Sequence, residues 1–379
     1  MVPEVVGSNP IGRPIRAHAK ALASVSAFWT LPDFDEHELV QLVHDRASGL
    51  TAILALHSTH LGPGAGGTRF WHYGDPEDAM RDALRLSRGM SYKNAMAGLP
   101  MGGGKGVILA GADRIKTPDM LAAFGDAIEA LGGRYVCAED VGMTEADMVA
   151  ISKRTQHVTG LPSADESKSG GDPGPFTAMG IFRGIKSAVR HKLGKDSLGG
   201  VHVAVQGCGS VGGGLAMLLA SEGARLTLAD LDTAKAAALA GKFLGAEYVP
   251  TTRIMRMPCD VFSPNALGAI LDDESIAELQ APIVAGGANN QLARPEHGPQ
   301  LAARGILYAP DYVINAGGII AVTLEYLARR SGTRRLMPEM KRRLEEIPTR
   351  LEAIWSQAEA SGQSPDQVAD AMAQRLIGR

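Results

Sequence analysis

The chain has 379 residues, 45% of them hydrophobic and 21% charged, which excludes a mostly disordered, collagen-like or coiled-coil protein. Its 38 basic and 41 acidic side chains leave a net charge of −3, so the overall balance favours neither nucleic acid nor an anionic membrane surface. Three scattered cysteines, Cys137, Cys208 and Cys259, argue against a disulfide framework and suit a reducing, cytoplasmic setting.

The informative excess is glycine, with 46 residues where average usage is about 7%. The glycines cluster in what read as short loops, where backbone can approach small ligands. In chain order, residues 1–25 read as a poorly specified extension. Arg13, Arg16 and Lys20 before an apolar 21–29 faintly resemble a signal peptide, but that stretch is short and contains serines. No apolar run approaches the ~20 residues of a transmembrane helix. Residues 38–60 read as a helical turn and then a strand, LTAILALHST at 50–59. The glycine cluster GPGAGGTR follows at 62–69. Asp75 as N-cap, Pro76 in the first turn and a stripe of Ala79, Met80, Ala83, Leu84, Ser87 and Met90 predict a helix to about Ala97, stopped by Gly98. GRYVCAED, 133–140, reads as a strand ending in two acids.

The second half alternates short apolar runs with helical stretches. Runs at 201–207, 224–230, 259–265, 282–290 and 305–311 read as buried parallel strands of a doubly wound sheet. The Pro-, Gly-, Ser- and charge-rich 161–175 marks the boundary and a hinge. The fold class is therefore α/β with two domains: an N-terminal α/β substrate domain over 1–162, and a Rossmann doubly wound domain over 163–345. A C-terminal helical segment, 346–379, is expected to pack back on the first domain.

The sharpest local motif is GCGSVGGG, 207–214, between an apolar strand and an Ala/Leu-rich helix. Gly207, Gly209 and Gly212 fit G-x-G-x-x-G, with Cys208, Ser210 and Val211 between them. The glycines serve the tight turn, the approach to a pyrophosphate and helix–strand packing, and the phosphate sits on a helix N-terminus. Asp230 stands 21 residues after Gly209, where an acid binds the ribose hydroxyls and repels a 2′-phosphate. The cofactor read from this is NAD rather than NADP. Asp232 reads as the cap of the next helix.

SYKNAMAGLPMGGGKGV, 91–107, places Lys93 at a helix end and Lys105 among glycines. Burial of Lys105 would lower its pKa toward that of a base. GGGK resembles a phosphate loop, but Leu99 and Gly106 stand where the Walker pattern needs Gly and Ser or Thr. AEDVG offers Glu139 and Asp140, one structural and one for proton transfer. His57 and His60 lack a third ligand, and the cysteines lack ligand spacing, so no metal is expected.

GPGAGGTR, YKNAMAGLPMGGGK, AEDVG, GDPGPFTA, GGANNQL and APDYVINAGG occur in this order and resemble the Glu/Leu/Phe/Val dehydrogenase family over about residues 28–330, its leucine and phenylalanine types above all. The resemblance implies an NAD-dependent oxidative deamination of a hydrophobic L-amino acid to the 2-oxo acid and ammonia. Lys93 would pair with the substrate carboxylate, helped by the Gly66–Gly67 backbone. Lys105 would activate water, and Asp140 would exchange protons with the substrate nitrogen. Thr177, Asn289 and Asn315 would orient nicotinamide and substrate, and the enzyme would be a homo-oligomer. Ala65, where leucine dehydrogenases usually have Leu, and Ala138 would shape the side-chain pocket. Two lysines close together should depress each other's pKa. The alternatives are a glutamate dehydrogenase on the same fold and a non-catalytic NAD-binding sensor; the latter predicts loss of Lys105 or Asp140, and both are present.

Overall fold

Two sheets built by different rules organise the chain in the computed structural model, which describes residues 27–162, 172–332 and 336–379. The extension at 1–25 and most of the 161–175 hinge lie outside the described residues. The first sheet is mixed. Its strands are β1 (Leu39–Asp45), β2 (Leu50–Ser58), β3 (Gly64–Trp71), β4 (Gly102–Leu109) and β5 (Tyr135–Glu139), in the order β1-β2-β4-β3-β5. β2 runs antiparallel to β1 and β4, while β3 runs parallel to β4 and β5. Helices α1 (Pro76–Met96), α2 (Pro118–Ala130) and α3 (Glu145–Ser152) pack around it.

Two expectations are corrected here. The helical turn expected at the start of 38–60 is strand β1, paired from Leu39↔Leu56 to Asp45↔Leu50. Its residues are half-buried or exposed on an edge strand, so only its partner reveals it. The glycine clusters at 62–69 and 102–106 are also mostly strand rather than loop. A Cβ on Gly66 would stand 1.8 Å from the Gly104 oxygen, and one on Gly103 would stand 2.2 Å from the Ser91 nitrogen. Glycine is used because strands and helix lie too close for side chains. The α1 helix otherwise follows expectation. Asp75 accepts from the Glu77 amide at 2.8 Å, Pro76 opens the first turn, and Gly98 takes φ +65° just beyond it.

The second sheet is all parallel, in the order β11-β10-β9-β6-β7-β8. Its strands are β6 (His202–Gln206), β7 (Arg225–Ala229), β8 (Glu247–Tyr248), β9 (Val261–Pro264), β10 (Ile283–Val284) and β11 (Leu307–Tyr308). Helices α4 (Gly174–Leu193), α5 (Ser210–Ser221), α6 (Thr233–Ala240), α7 (Thr251–Ile254), α8 (Asp273–Glu278), α9 (His297–Ala303) and α10 (Asp311–Ile314) alternate with them. β6 is buried at every position, as a central parallel strand must be.

The chain closes with α11 (Gly317–Ser331), α12 (Leu336–Ser361) and α13 (Pro365–Leu376). The division expected between residues 345 and 346 falls inside α12, which is one helix. α12 packs mainly with the second sheet, where Trp355 is fully buried and donates to the Tyr308 carbonyl at 2.9 Å, while Arg343 donates to the Gly98 carbonyl of the first domain. α13 crosses to the first domain. Gln374 donates to the Tyr92 hydroxyl at 3.1 Å, and Arg379 donates to the carbonyls of Asp35, Glu36 and His57 at 2.7, 2.8 and 3.1 Å. Among the described residues, no helix is long and apolar enough to cross a membrane.

Candidate active site

A cleft of about 660 Å³ opens where the two sheets face each other. From the first domain it is lined by Gly67, Met90, Lys93, Lys105, Ala138 and Asp140, and from the second by Thr177, Val211, Gly287, Asn289 and Asn315. Ile319 and Val322 of α11 complete its apolar wall.

Lys105 stands within β4, opposite Ala55, with glycine on either side. Only 5% of it is exposed. Its Nζ donates to Asp140 Oδ2 at 2.6 Å. Asp140 follows the end of β5 and fits there because Gly67 opposite lacks a side chain; a Cβ on Gly67 would lie 2.7 Å from Asp140 Cβ. Burial lowers the Lys105 pKa, with Asp140 opposing. Burial works to raise Asp140, but Lys105 and Arg69 outweigh it and hold the carboxyl below its ordinary value. An ionised pair results whose lysine gives up its proton more readily than usual. The expected mutual depression of the two lysines is not the cause. Arg69 is the cation that opposes charge on Lys105, and the lowered pKa of each lysine comes first from burial.

Lys93 lies in the last turn of α1, which the glycines of β4 let settle against the sheet. Asn94, next to it, donates to the Gly102 carbonyl at 2.6 Å and fixes that turn on β4. Burial pulls the Lys93 pKa down to about 8, against the charges of Asp311 and Asp140. Its Nζ donates across the cleft to Asn289 Oδ1 at 3.3 Å. Asn289 Oδ1 also accepts from Asn315 Nδ2 at 2.9 Å, and Asn315 donates to the Gly287 carbonyl at 3.1 Å.

The turn after β6 has the shape a dinucleotide phosphate needs. Gly207 has φ +91°, and a Cβ on Gly212 would stand 1.8 Å from the Gly207 oxygen. Gly209 has nothing within 4 Å of its missing Cβ, leaving room beside the N-terminus of α5. Asp230 closes β7 and accepts from the amides of Cys208 at 2.7 Å and Asp232 at 2.9 Å. Burial works to raise its pKa, but these two bonds and the nearby Lys235 together outweigh it and lower the value. Asp232 caps α6 through the Lys235 amide at 3.1 Å. Ser210 Oγ donates to Asp172, and Thr177 lines the cleft nearby.

Of the residues singled out in the sequence, Gly67, Lys93, Lys105, Ala138, Asp140, Thr177, Val211, Asn289 and Asn315 line the cleft, whereas Gly66, Gly207, Cys208, Gly209, Ser210, Gly212 and Asp230 do not. Ala65 does not line the cleft. It is buried two residues along β3 from Gly67, in a cluster that includes Tyr92, Ala95 and Val136. His57 is engaged elsewhere, with Nδ1 against Ser91 Oγ at 2.8 Å and Nε2 against Asp35 at 3.1 Å. Three site residues escaped the sequence reading. Arg69 reaches Asp140 at 3.2 Å and Asp82 at 2.6 Å, and Asp311 acts on Lys93. The arginine closing GPGAGGTR was the one available signal for the first two.

Comparison with known proteins agrees with this geometry. The family model for the Glu/Leu/Phe/Val dehydrogenase dimerisation domain matches residues 37–157, and that for the Glutamate/Leucine/Phenylalanine/Valine dehydrogenase matches residues 227–377. The chain is an amino acid dehydrogenase, an oxidoreductase acting on CH–NH2 donors. The chain is 44% identical to leucine dehydrogenase of Geobacillus stearothermophilus, over 90% of this chain and 91% of that one. It is 43% identical to valine dehydrogenase of Streptomyces virginiae, over 90% and 94%. The crystal structure of L-tryptophan dehydrogenase from Nostoc punctiforme superposes with a TM-score of 0.78 at 40% identity, covering 90% of this chain and 96% of that one. The chain belongs to the Glu/Leu/Phe/Val dehydrogenase family.

Proposed function

We propose that the protein catalyses the reversible NAD-dependent oxidative deamination of hydrophobic L-amino acids to 2-oxo acids and ammonia. The observation that carries the substrate class is the cleft wall. Met90, Ala138, Ile319 and Val322 line it, and among the described residues its only cations are Lys93 and Lys105. Both are needed for the chemistry, so a glutamate side chain would find no partner there.

In this reading Lys93 takes the substrate carboxylate in a charge-assisted pair beside the Gly66–Gly67 backbone. The substrate nitrogen lies toward Asp140, which exchanges protons with it. Lys105, whose lowered pKa lets it first release its own proton to solvent, holds the attacking water as a neutral amine and takes its proton as water adds to the iminium carbon. The apolar wall and domain closure exclude bulk water from the reactive iminium.

The turn at Gly207, Cys208, Gly209, Ser210, Val211 and Gly212 would hold the cofactor pyrophosphate, Asp230 its adenosine ribose, and Thr177, Asn289 and Asn315 its nicotinamide side. The open space at Gly209 fits a phosphate, and the Asp230 carboxylate favours NAD over NADP. NAD held by these residues would supply the hydride acceptor for the substrate Cα.

The domain division near residues 163–171 and assembly into a homo-oligomer belong to the same reading. The edge strand β1 leaves Leu42 69% exposed, which suits pairing with another copy. Free cysteines throughout suit the cytoplasm.

The test is NADH formation with a panel of L-amino acids, NAD and NADP run side by side. Turnover of leucine, valine or aromatic substrates with NAD, and little with glutamate, is expected. Preference for glutamate, or for NADP, overturns the corresponding assignment.

A further inference from the structure

Asn289 enters the cleft on a loop, 286–291, with no helix or strand of its own. Asn290 beside it has φ +51°, a left-handed conformation that persists only where the surroundings fix it. Two side chains do so. Gln291, fully buried, donates Nε2 to the carbonyls of Gly286 at 2.8 Å and Ala288 at 3.0 Å. Asp311, the first residue of α10, accepts from the Gln291 amide at 2.8 Å, and the amides of Asn290 and Tyr312 also bear on its carboxylate. That same carboxylate faces Lys93, and its charge favours the Lys93 ammonium more strongly than that of Asp140 does.

We propose that Asp311 is a positioning residue for this reaction: its carboxylate fixes the 286–291 loop so that Asn289 meets Lys93 across the cleft, and its charge faces the lysine that receives the substrate carboxylate. The inference rests on the reading of Lys93 given above. With burial pulling Lys93 down to about 8, the lysine keeps its proton by a narrow margin at neutral pH. Loss of the Asp311 charge lowers that pKa further, so the contact to the substrate carboxylate fails from a lower pH upward.

The groups facing this pair are few. Lys93 is faced by Asp311 from α10 and by Asp140 from the end of β5. Asp311 is faced by Lys93, by Tyr308 and Tyr312, and by Asp370 of α13, which accepts from the Tyr312 hydroxyl at 2.8 Å. Burial raises Asp370 to about 6, so its charge is settled across the alkaline range in which Lys93 titrates.

Two variants separate position from charge. Asp311→Asn keeps an oxygen for the Gln291 amide and removes the charge, whereas Asp311→Ala removes both. We expect Asp311→Asn to raise the amino acid KM about tenfold and to move the onset of its alkaline rise about one pH unit lower. NADH binding, followed by fluorescence, should stay within about threefold. Asp311→Ala should further lower kcat by about tenfold as Asn289 loosens. An Asp311→Asn enzyme with the parent KM across pH 7–10 overturns the proposal. Should that variant fail to fold, Asn289→Ala takes its place, and unchanged kcat and KM overturn it. Lys93→Ala separates the two readings. If it raises KM while Asp311→Asn does not, this inference alone falls; if it leaves KM unchanged, the role given to Lys93 falls.

Discussion

The two glycine-rich stretches of this molecule use the same residue for opposite reasons. In β3 and β4 glycine fills strands so crowded that a Cβ would meet backbone at 1.8–2.3 Å, as at Gly66, Gly102 and Gly103. At the β6–α5 turn Gly212 is as crowded as these, but Gly209, where a phosphate would approach, faces open space. Crowding in the first sheet lets α1 settle onto β4 and leaves a lysine as the only large side chain among the glycines of that strand's first half. Openness in the second leaves room for a ligand. In the function proposed above, chemistry is lodged in the first region and cofactor binding in the second.

The sharpest way to break that division is Lys105→Ala. Turnover should fall at least ~100-fold, the value of a positioned base, while NADH still binds. Near-normal turnover, or loss of NADH binding, would contradict it. Next in size is the pair of glycine substitutions. Gly66→Ala forces a Cβ to 1.8 Å from the Gly104 oxygen and should cost about 3 kcal/mol or abolish folding. Gly209→Ala meets nothing and has φ −72°, so denaturant midpoints should barely move while the NAD KM rises about tenfold. Equal stability losses in the two variants would erase the contrast.

Asp230→Ser sharpens the second region alone. The gap between NAD and NADP should narrow about tenfold, since the repelling carboxylate is gone. Unchanged cofactor preference in steady-state assays would place selectivity elsewhere. The smallest effect lies on the seam, at Glu325 of α11. Burial raises its pKa to about 7 from 4.5, Arg329 partly opposing, and its Oε2 has no hydrogen-bond partner. A raised acid pKa means that the folded state binds the proton more tightly, so stability is unaffected below pH 4.5, declines as pH rises, and is lowest above about 7. Glu325→Gln should therefore stabilise by about 1 kcal/mol at pH 8, discounted for partial exposure, and by nothing at pH 4. Urea unfolding at both values decides it.

Local chemistry made much of this legible. The Asp75 cap, Pro76 and the Ala79–Ser87 stripe predict α1 to within a residue or two of its observed bounds. The G-x-G-x-x-G turn with Asp230 in register predicts the second sheet's centre. What escaped depends on partners distant in sequence. β1 is an edge strand recognised only beside β2. Strands β3 and β4 are rich in a residue with low strand propensity, and only their neighbours explain it. Arg69 and Asp311 look like ordinary surface charges until β5 brings Asp140 to the one and α1 brings Lys93 to the other. The resemblance implies a pocket position for Ala65, whereas the strand carries it one step deeper than Gly67, out of the cleft.

The return of α13 to the first domain bears on the order in which this protein can be made. Residues 27–162 emerge from the ribosome long before 365–379, yet Tyr92 and His57 find Gln374 and Arg379 only when the latter appear. Until then, the face of α1 that backs Lys93 lies bare. The first domain is thus finished by a segment translated long after it, and a nascent chain halted before α13 should show fast amide exchange in α1 that slows once residues 365–379 are released.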